Sequence, residues 1–89
     1  MARFEYASRD VVEYAAEGGT PDALFELGLM YASGREVSQD FVTAHKWFNL
    51  AALRGSDEAK RYRLELSREM SKSDIAKAQR MAREWMTRH

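Results

Sequence analysis

The feature that most constrains the fold of this chain is an internal repeat with a period of 36 residues. Residues 15–23 align without gaps on residues 51–59, with four identities and two conservative matches in nine positions. Internal periods of about 20 to 50 residues are typical of proteins built from stacked supersecondary units. We therefore expect one structural unit to occur more than once along the chain.

Each copy of the repeat predicts a helix, a tight corner and a second helix. Gly19 and Gly55 follow apolar-periodic stretches, at the position where a left-handed glycine commonly ends a helix. Thr20 and Ser56 come next, and a hydroxyl at this position can accept amide hydrogen bonds as the N-cap of the following helix. Small alanines on both sides of each corner allow close approach of the two helices, which favours antiparallel pairs.

Apolar periodicity extends this pattern to about five predicted helices. The first covers residues 9–17 and the second residues 22–32. The third begins after Asp40 as N-cap, the fourth covers residues 57–70, and the fifth begins after Ser71, the first residue of a capping box. No run alternates with a period of two, as a half-buried strand requires. The predicted fold is all-α without a sheet, built from antiparallel helix hairpins.

The third and fifth predicted helices each carry an apolar stripe. The stripe of the third helix consists of Ala44, Trp47, Phe48, Ala51 and Ala52. The stripe of the fifth helix consists of Ile75, Ala78, Ala82, Trp85 and Met86.

Composition indicates a folded, soluble chain with a small core. With 89 residues, 45% hydrophobic and 31% charged, it is expected to form one domain with an ordinary globular composition. The absence of cysteine excludes disulfides and thiolate metal sites and favours a reducing compartment. Because the sequence shows neither an export signal nor a membrane span, we predict a cytoplasmic protein that does not bind membranes.

Charge is distributed unevenly although the net charge is zero. Residues 1–44 carry three bases and eight acids, whereas residues 45–89 carry eleven bases and six acids. The two halves therefore have net charges of −5 and +5. Such a chain can offer its basic end to an acidic partner, although solvated helix faces carry similar charge.

Thirteen positions of the repeat and its loop form a more specific pattern, which resembles one complete Sel-one-like repeat, a relative of the tetratricopeptide repeat. These signature positions are Ala23, Leu27, Gly28, Tyr31, Gly34, Val37, Asp40, Ala44, Trp47, Ala51, Ala52, Gly55 and Ala59. The resemblance implies an α/α solenoid that works as an adaptor holding other proteins together, with no chemistry of its own.

The resemblance also divides the single domain, residues 1–89. Residues 9–22 are the end of a partial repeat, residues 23–59 the complete repeat, and residues 60–89 the C-terminal capping helices. Residues 1–8 are a candidate flexible segment. About one and a half repeats result, whereas solenoids ordinarily need about three to bury a continuous core. Either the capping helices or a second copy must therefore complete the core, and we favour a homodimer.

The chain departs from the family pattern in the loop after the second predicted helix. Glu36 stands where the family usually has a second glycine. This substitution predicts either a different loop backbone or a strained conformation of Glu36 that costs about 1 kcal/mol. Beyond this loop, the segment from Ser71 to Trp85 resembles the closing helix of small bacterial proteins of this kind.

No catalytic, metal-binding or cofactor-binding residue is predicted. His45 and His89 are the only imidazoles, and neither belongs to a metal-ligand motif. The serines lie at caps and turns, and no phosphate-binding loop occurs. We therefore interpret His45 as a partly exposed polar residue and the chain as a protein without enzymatic activity or cofactor.

The sequence favours a protein–protein interaction adaptor or regulatory module, with a partner of unknown identity. The residues predicted to contact this partner as exposed side chains are Tyr31, His45, Asn49 and Arg54. The alternative is that the basic C-terminal helices bind nucleic acid or an acidic protein. Nucleic acid is disfavoured because the pI is 6.7, below the value of about 9 typical of such domains, and acidic residues interrupt the basic pattern.

Overall fold

The computed structural model describes residues 16–88, and these form four α-helices and no strand. The helices are α1 (Pro21–Ser33), α2 (Phe41–Leu53), α3 (Asp57–Ser67) and α4 (Lys72–Arg88). They correspond to the second to fifth predicted helices, so the all-α prediction is confirmed for the described part. The first predicted helix falls mostly outside the described residues, as do residues 1–8. None of the four helices is long and apolar enough to cross a membrane.

The two corners of the repeat have the same local structure. Thr20 Oγ1 and Ser56 Oγ each accept a hydrogen bond of 3.1 Å from the amide three residues later, which caps α1 and α3 respectively. Gly19 and Gly55 have φ angles of 67° and 108°, in the region that favours glycine. Residues 36 positions apart therefore have the same capping and turn roles, as the repeat predicted.

The loop between α1 and α2 contains the predicted strain. Among the described residues, Glu36 is the only non-glycine residue with a positive φ, at 68°. This left-handed conformation costs about 1–2 kcal/mol for a residue with a Cβ. Of the two alternatives that the sequence predicted for this position, the strained conformation is the one adopted.

Helix α2 occupies the centre of the fold. It begins after Asp40, whose carboxylate accepts the Thr43 amide at 3.1 Å, so the predicted N-cap is confirmed. It packs against α1, α3 and α4, and its predicted stripe is entirely buried. His45 and Leu50 are buried as well, because contact with three helices covers more of α2 than one stripe.

Helix α3 is shorter than predicted. It ends at Ser67, and the amides of Arg68, Glu69 and Met70 donate to the carbonyls three residues earlier. These tighter bonds turn the chain toward the start of α4, where Ser71 Oγ accepts the Asp74 amide at 3.0 Å. The predicted helix therefore continued three residues too far.

Helix α4 docks on α2 through its buried face. Ala78, Ala82 and Trp85 are buried as predicted, and the Trp85 ring meets the Trp47 ring edge-to-face, with centroids 5.7 Å apart. The prediction for Met86 was wrong, because this side chain is 47% exposed. One residue beyond Trp85 corresponds to a turn of about 100° around the helix, which takes Met86 away from α2.

Candidate functional site

Helix α3 separates two surface clefts. The α3–α4 cleft has a volume of about 520 Å³, and its lining residues are His45, Asn49, Lys60, Arg63, Leu64, Ser67, Ile75 and Gln79. The α1–α3 groove has a volume of about 320 Å³, and its lining residues are Ala32, Phe41, Phe48, Tyr62, Glu65, Leu66 and Glu69. In each set the residues numbered 60 to 69 follow the i, i+3, i+4, i+7 spacing of one helix face. The two faces lie on opposite sides of α3.

The α1–α3 groove has an aromatic floor and an acidic rim. The Phe48 and Tyr62 rings lie 5.6 Å apart, and Tyr62 also meets Phe25 of α1 edge-to-face at 5.2 Å. Tyr62 is 42% exposed, whereas Phe48 is fully buried beneath it. The carboxylates of Glu65 and Glu69 are exposed at the edge, and no base lines the groove. The groove therefore combines apolar surface with negative charge.

The α3–α4 cleft has the opposite polarity. Lys60 and Arg63 contribute two positive charges from α3, and none of the lining residues is a carboxylate. Arg63 Nη1 donates to Asn49 Oδ1 at 2.6 Å, so α2 holds the guanidinium against the cleft floor. The cleft therefore combines cationic groups with polar amides.

His45 forms part of the floor of this cleft and corrects one sequence prediction. Its side chain was expected to be exposed, but His45 is only 2% exposed because α2 is enclosed by its neighbours. His45 Nε2 lies 3.0 Å from Ser67 Oγ, and this hydroxyl donates to the Arg63 carbonyl at 2.8 Å. Since the hydroxyl proton is used in that bond, Ser67 Oγ accepts the hydrogen bond from Nε2–H of His45.

Burial lowers the pKa of His45 below its ordinary value of 6.5, and the positive charge of Arg63 lowers it further, against a smaller raising effect of a backbone hydrogen bond. Below about pH 6.5 the unfolded chain binds a proton at this position more readily than the folded chain. The contribution of His45 to stability is therefore complete above the ordinary pKa. This stabilising contribution is lost as the pH falls from about 6.5 through the lower pKa of His45 in the folded state.

We expect the H45Q variant to lose less stability on acidification than the wild type, because glutamine does not titrate. Urea unfolding of both proteins at about pH 7.5 and about pH 5.5 measures this difference. Carboxylates titrate in both proteins, so the difference between the two pH dependences reports on His45. Identical pH dependences would contradict the assignment of His45 as a buried neutral base.

The four residues predicted to bind a partner do not share one surface. His45 and Asn49 line the α3–α4 cleft, whereas Tyr31 and Arg54 line neither of the two clefts. Tyr31 is half-buried and packs against the core. Arg54 is exposed and donates to the Gly19 carbonyl at 2.7 Å, which connects the end of α2 to the preceding corner.

The signature residues serve mainly packing, caps and turns. Leu27, Ala44, Trp47, Ala51 and Ala59 are buried. The buried set also includes Gly28, Val37 and Ala52, while Gly34 and Gly55 have positive φ angles and Ala23 is half-buried.

Sequence reasoning missed both clefts. It compared charge only between the two halves of the chain, residues 1–44 and 45–89. The available signal was the segregation of charge by helix face, since Lys60 and Arg63 share one face of the fourth predicted helix and Glu65 and Glu69 the other. Within residues 16–88, no group of three His, Asp or Glu side chains could hold a metal ion.

Packed helices joined by corners of the same local structure make the described part compatible with the class of short helical repeat proteins. Residues 21–56 match the family model of the Sel1 repeat. This match agrees with the Sel-one-like repeat that the sequence predicted for residues 23–59. No curated protein and no solved structure matches the chain.

Proposed function

We propose that this chain is a non-catalytic adaptor or regulatory module that binds another protein in the bacterial cytoplasm. The observation that carries the proposal is the Sel1 repeat in residues 21–56, since repeats of this family generally mediate protein–protein interactions. The buried side chains of this repeat build the scaffold, which leaves partner recognition to the exposed groups around it.

The α1–α3 groove is the surface that we assign to the partner. Protein interfaces concentrate aromatic side chains at their centre and polar groups at their rim. Exposed Tyr62 above buried Phe48 supplies such a centre, and Glu65 and Glu69 supply such a rim. A partner segment with an apolar anchor between basic residues is complementary to this arrangement.

Site-specific photocrosslinking in cells tests this assignment. A photoreactive residue at position 69, at the groove edge, is expected to form a covalent adduct with a partner protein. The same residue at position 84 is the control, since Glu69 and Glu84 are both exposed glutamates but only Glu69 lines the groove. Equal adducts at both positions, or adducts at position 84 alone, would refute the groove as the binding surface.

We also propose that α3 and α4 cap the repeat, and that two copies associate. Exposed Leu53 and Met86 leave apolar surface on the described part that a second copy could cover. Light scattering at micromolar concentration is expected to give twice the chain mass of 10.3 kDa. A mass of one chain would refute the homodimer.

A further inference from the structure

The lining of the α3–α4 cleft selects for negative charge. Three helices contribute pairs of residues spaced i, i+4 to it, among them His45 and Asn49 from α2 and Ile75 and Gln79 from α4. Both ionised groups in the lining belong to α3 and are cationic. A concave surface with charge of one sign attracts ligands of the opposite sign.

Arg63 is the residue of the cleft lining that is best placed to pair with an anion. Its side chain is half-buried, and no carboxylate of the described residues lies within 4.0 Å of its guanidinium. The hydrogen bond to Asn49 occupies only one of the five N–H donors of the planar fork. A partly desolvated guanidinium held in place by a neighbour is well prepared to pair with a carboxylate.

Lys60 adds a second positive charge, whose present ion-pair partner can be replaced by a ligand. Its Nζ lies 3.7 Å from Asp57 Oδ1, and both side chains are largely exposed. Such surface pairs contribute little to stability, so a carboxylate in the cleft can replace Asp57 as the partner at little cost. Arg63 and Lys60 are three residues apart on α3 and can face the same ligand.

Apolar groups beside these charges restrict the ligand further. Leu64 is 58% exposed at the cleft, and Ile75 is half-buried on the opposite wall. An inorganic anion would leave both uncovered, whereas a peptide with an apolar residue next to its carboxylate would cover them. Nucleic acid fits less well, because no Phe, Tyr or Trp lines the cleft to stack on a base, and the imidazole of His45 is only 2% exposed.

We propose that the α3–α4 cleft binds an acidic peptide segment of a partner protein. In this complex a Glu or Asp carboxylate pairs with Arg63 and Lys60, and a neighbouring apolar side chain of the segment covers Leu64 and Ile75. This inference extends the proposed protein-binding function to a second surface, on the opposite side of α3 from the α1–α3 groove.

The test uses synthetic peptides and the full chain. The probes are acetylated, amidated pentapeptides with a central Glu flanked by Leu, Ile, Val or Phe, each paired with an otherwise identical peptide containing Gln. Binding is measured by fluorescence anisotropy, and amide chemical shifts locate the strongest binder. We expect a Glu peptide to bind at least about tenfold more tightly than its Gln counterpart, with the largest shifts at Asn49, Arg63 and Gln79.

Two variants of equal net charge separate the cleft from general electrostatics. The K60Q/R63Q variant removes both cations of the cleft, and R61Q/K77Q removes two exposed cations outside it. We expect about tenfold weaker binding for the first and less than about a twofold change for the second. Because R63Q also removes a hydrogen bond, the single K60Q variant at an exposed position serves as a second test, with a smaller loss of affinity expected.

Four outcomes would overturn the proposal. They are no binding by any Glu peptide, equal binding of the Glu and Gln forms, equal losses in the two double variants, and shifts centred outside the cleft. An eight-nucleotide oligothymidylate that binds more tightly than every peptide through Arg63 would assign the cleft to nucleic acid instead. Since the probes address only the α3–α4 cleft, each of these failures leaves the crosslinking result for the α1–α3 groove unchanged.

Discussion

The W85A variant is expected to lose about 3–5 kcal/mol of unfolding free energy, the range for removing a buried tryptophan. Trp85 is 2% exposed and meets Trp47 of the central helix edge-to-face. Its removal opens a cavity between α4 and α2 and also removes the aromatic contact, which adds about 0.5–1.5 kcal/mol beyond the buried area. Urea unfolding followed by circular dichroism measures the loss.

The matched control for this prediction is M86A, one residue further along α4. Met86 is 47% exposed, so its truncation is expected to cost less than about 1 kcal/mol. A loss for W85A that is no larger than the loss for M86A would contradict the docking of α4 on α2. The large expected difference also tests whether the C-terminal helices complete the core of a single chain. A chain of this size has a total stability of only about 4–13 kcal/mol, so it depends heavily on one such contact.

Local chemistry made most of the fold predictable from sequence. Thr20, Ser56 and Asp40 are good N-cap residues, and each caps the helix predicted for it. An N-cap depends only on a few neighbouring residues, so it can be predicted from the sequence without the tertiary structure. The strain at Glu36 could also be predicted, because a residue that replaces glycine in a tight loop has few allowed backbone conformations.

The clefts and the burial of His45 depend on how helices are arranged, which local patterns do not specify. The apolar periodicity of α2 predicted one buried stripe, but three packed neighbours bury His45 and Leu50 as well. Likewise, Arg63 and Glu65 differ in surroundings because the α3–α4 cleft lies on one side of α3 and the α1–α3 groove on the other. Of the four predicted partner contacts, only His45 and Asn49 come together, since proximity on a concave surface was assumed from the repeat alone.

The G28V variant is the second substitution with a large expected effect. Gly28 lies in α1 against Phe48 of α2, and a Cβ added at Gly28 would overlap the ring carbons Cδ1 and Cε1 of Phe48. Since Phe48 is 1% exposed and enclosed by the core, its ring has little space to move away. We expect a loss of about 1–3 kcal/mol through overpacking, larger than the few tenths of a kcal/mol that valine gains over glycine in helix propensity. Urea unfolding measures the net change.

The G18V and F48L substitutions make this prediction specific to the contact between the two helices. No atom lies within 4 Å of a Cβ added at Gly18, so G18V is expected to change stability by less than about 0.5 kcal/mol. Replacing the Phe48 ring by leucine makes room for valine, and F48L should therefore cost less in the G28V background than in the wild type. A coupling of at least about 0.5 kcal/mol in this double-mutant cycle is the expected result. Additive effects would mean that Gly28 is required by the conformation of α1 and not by its packing against α2.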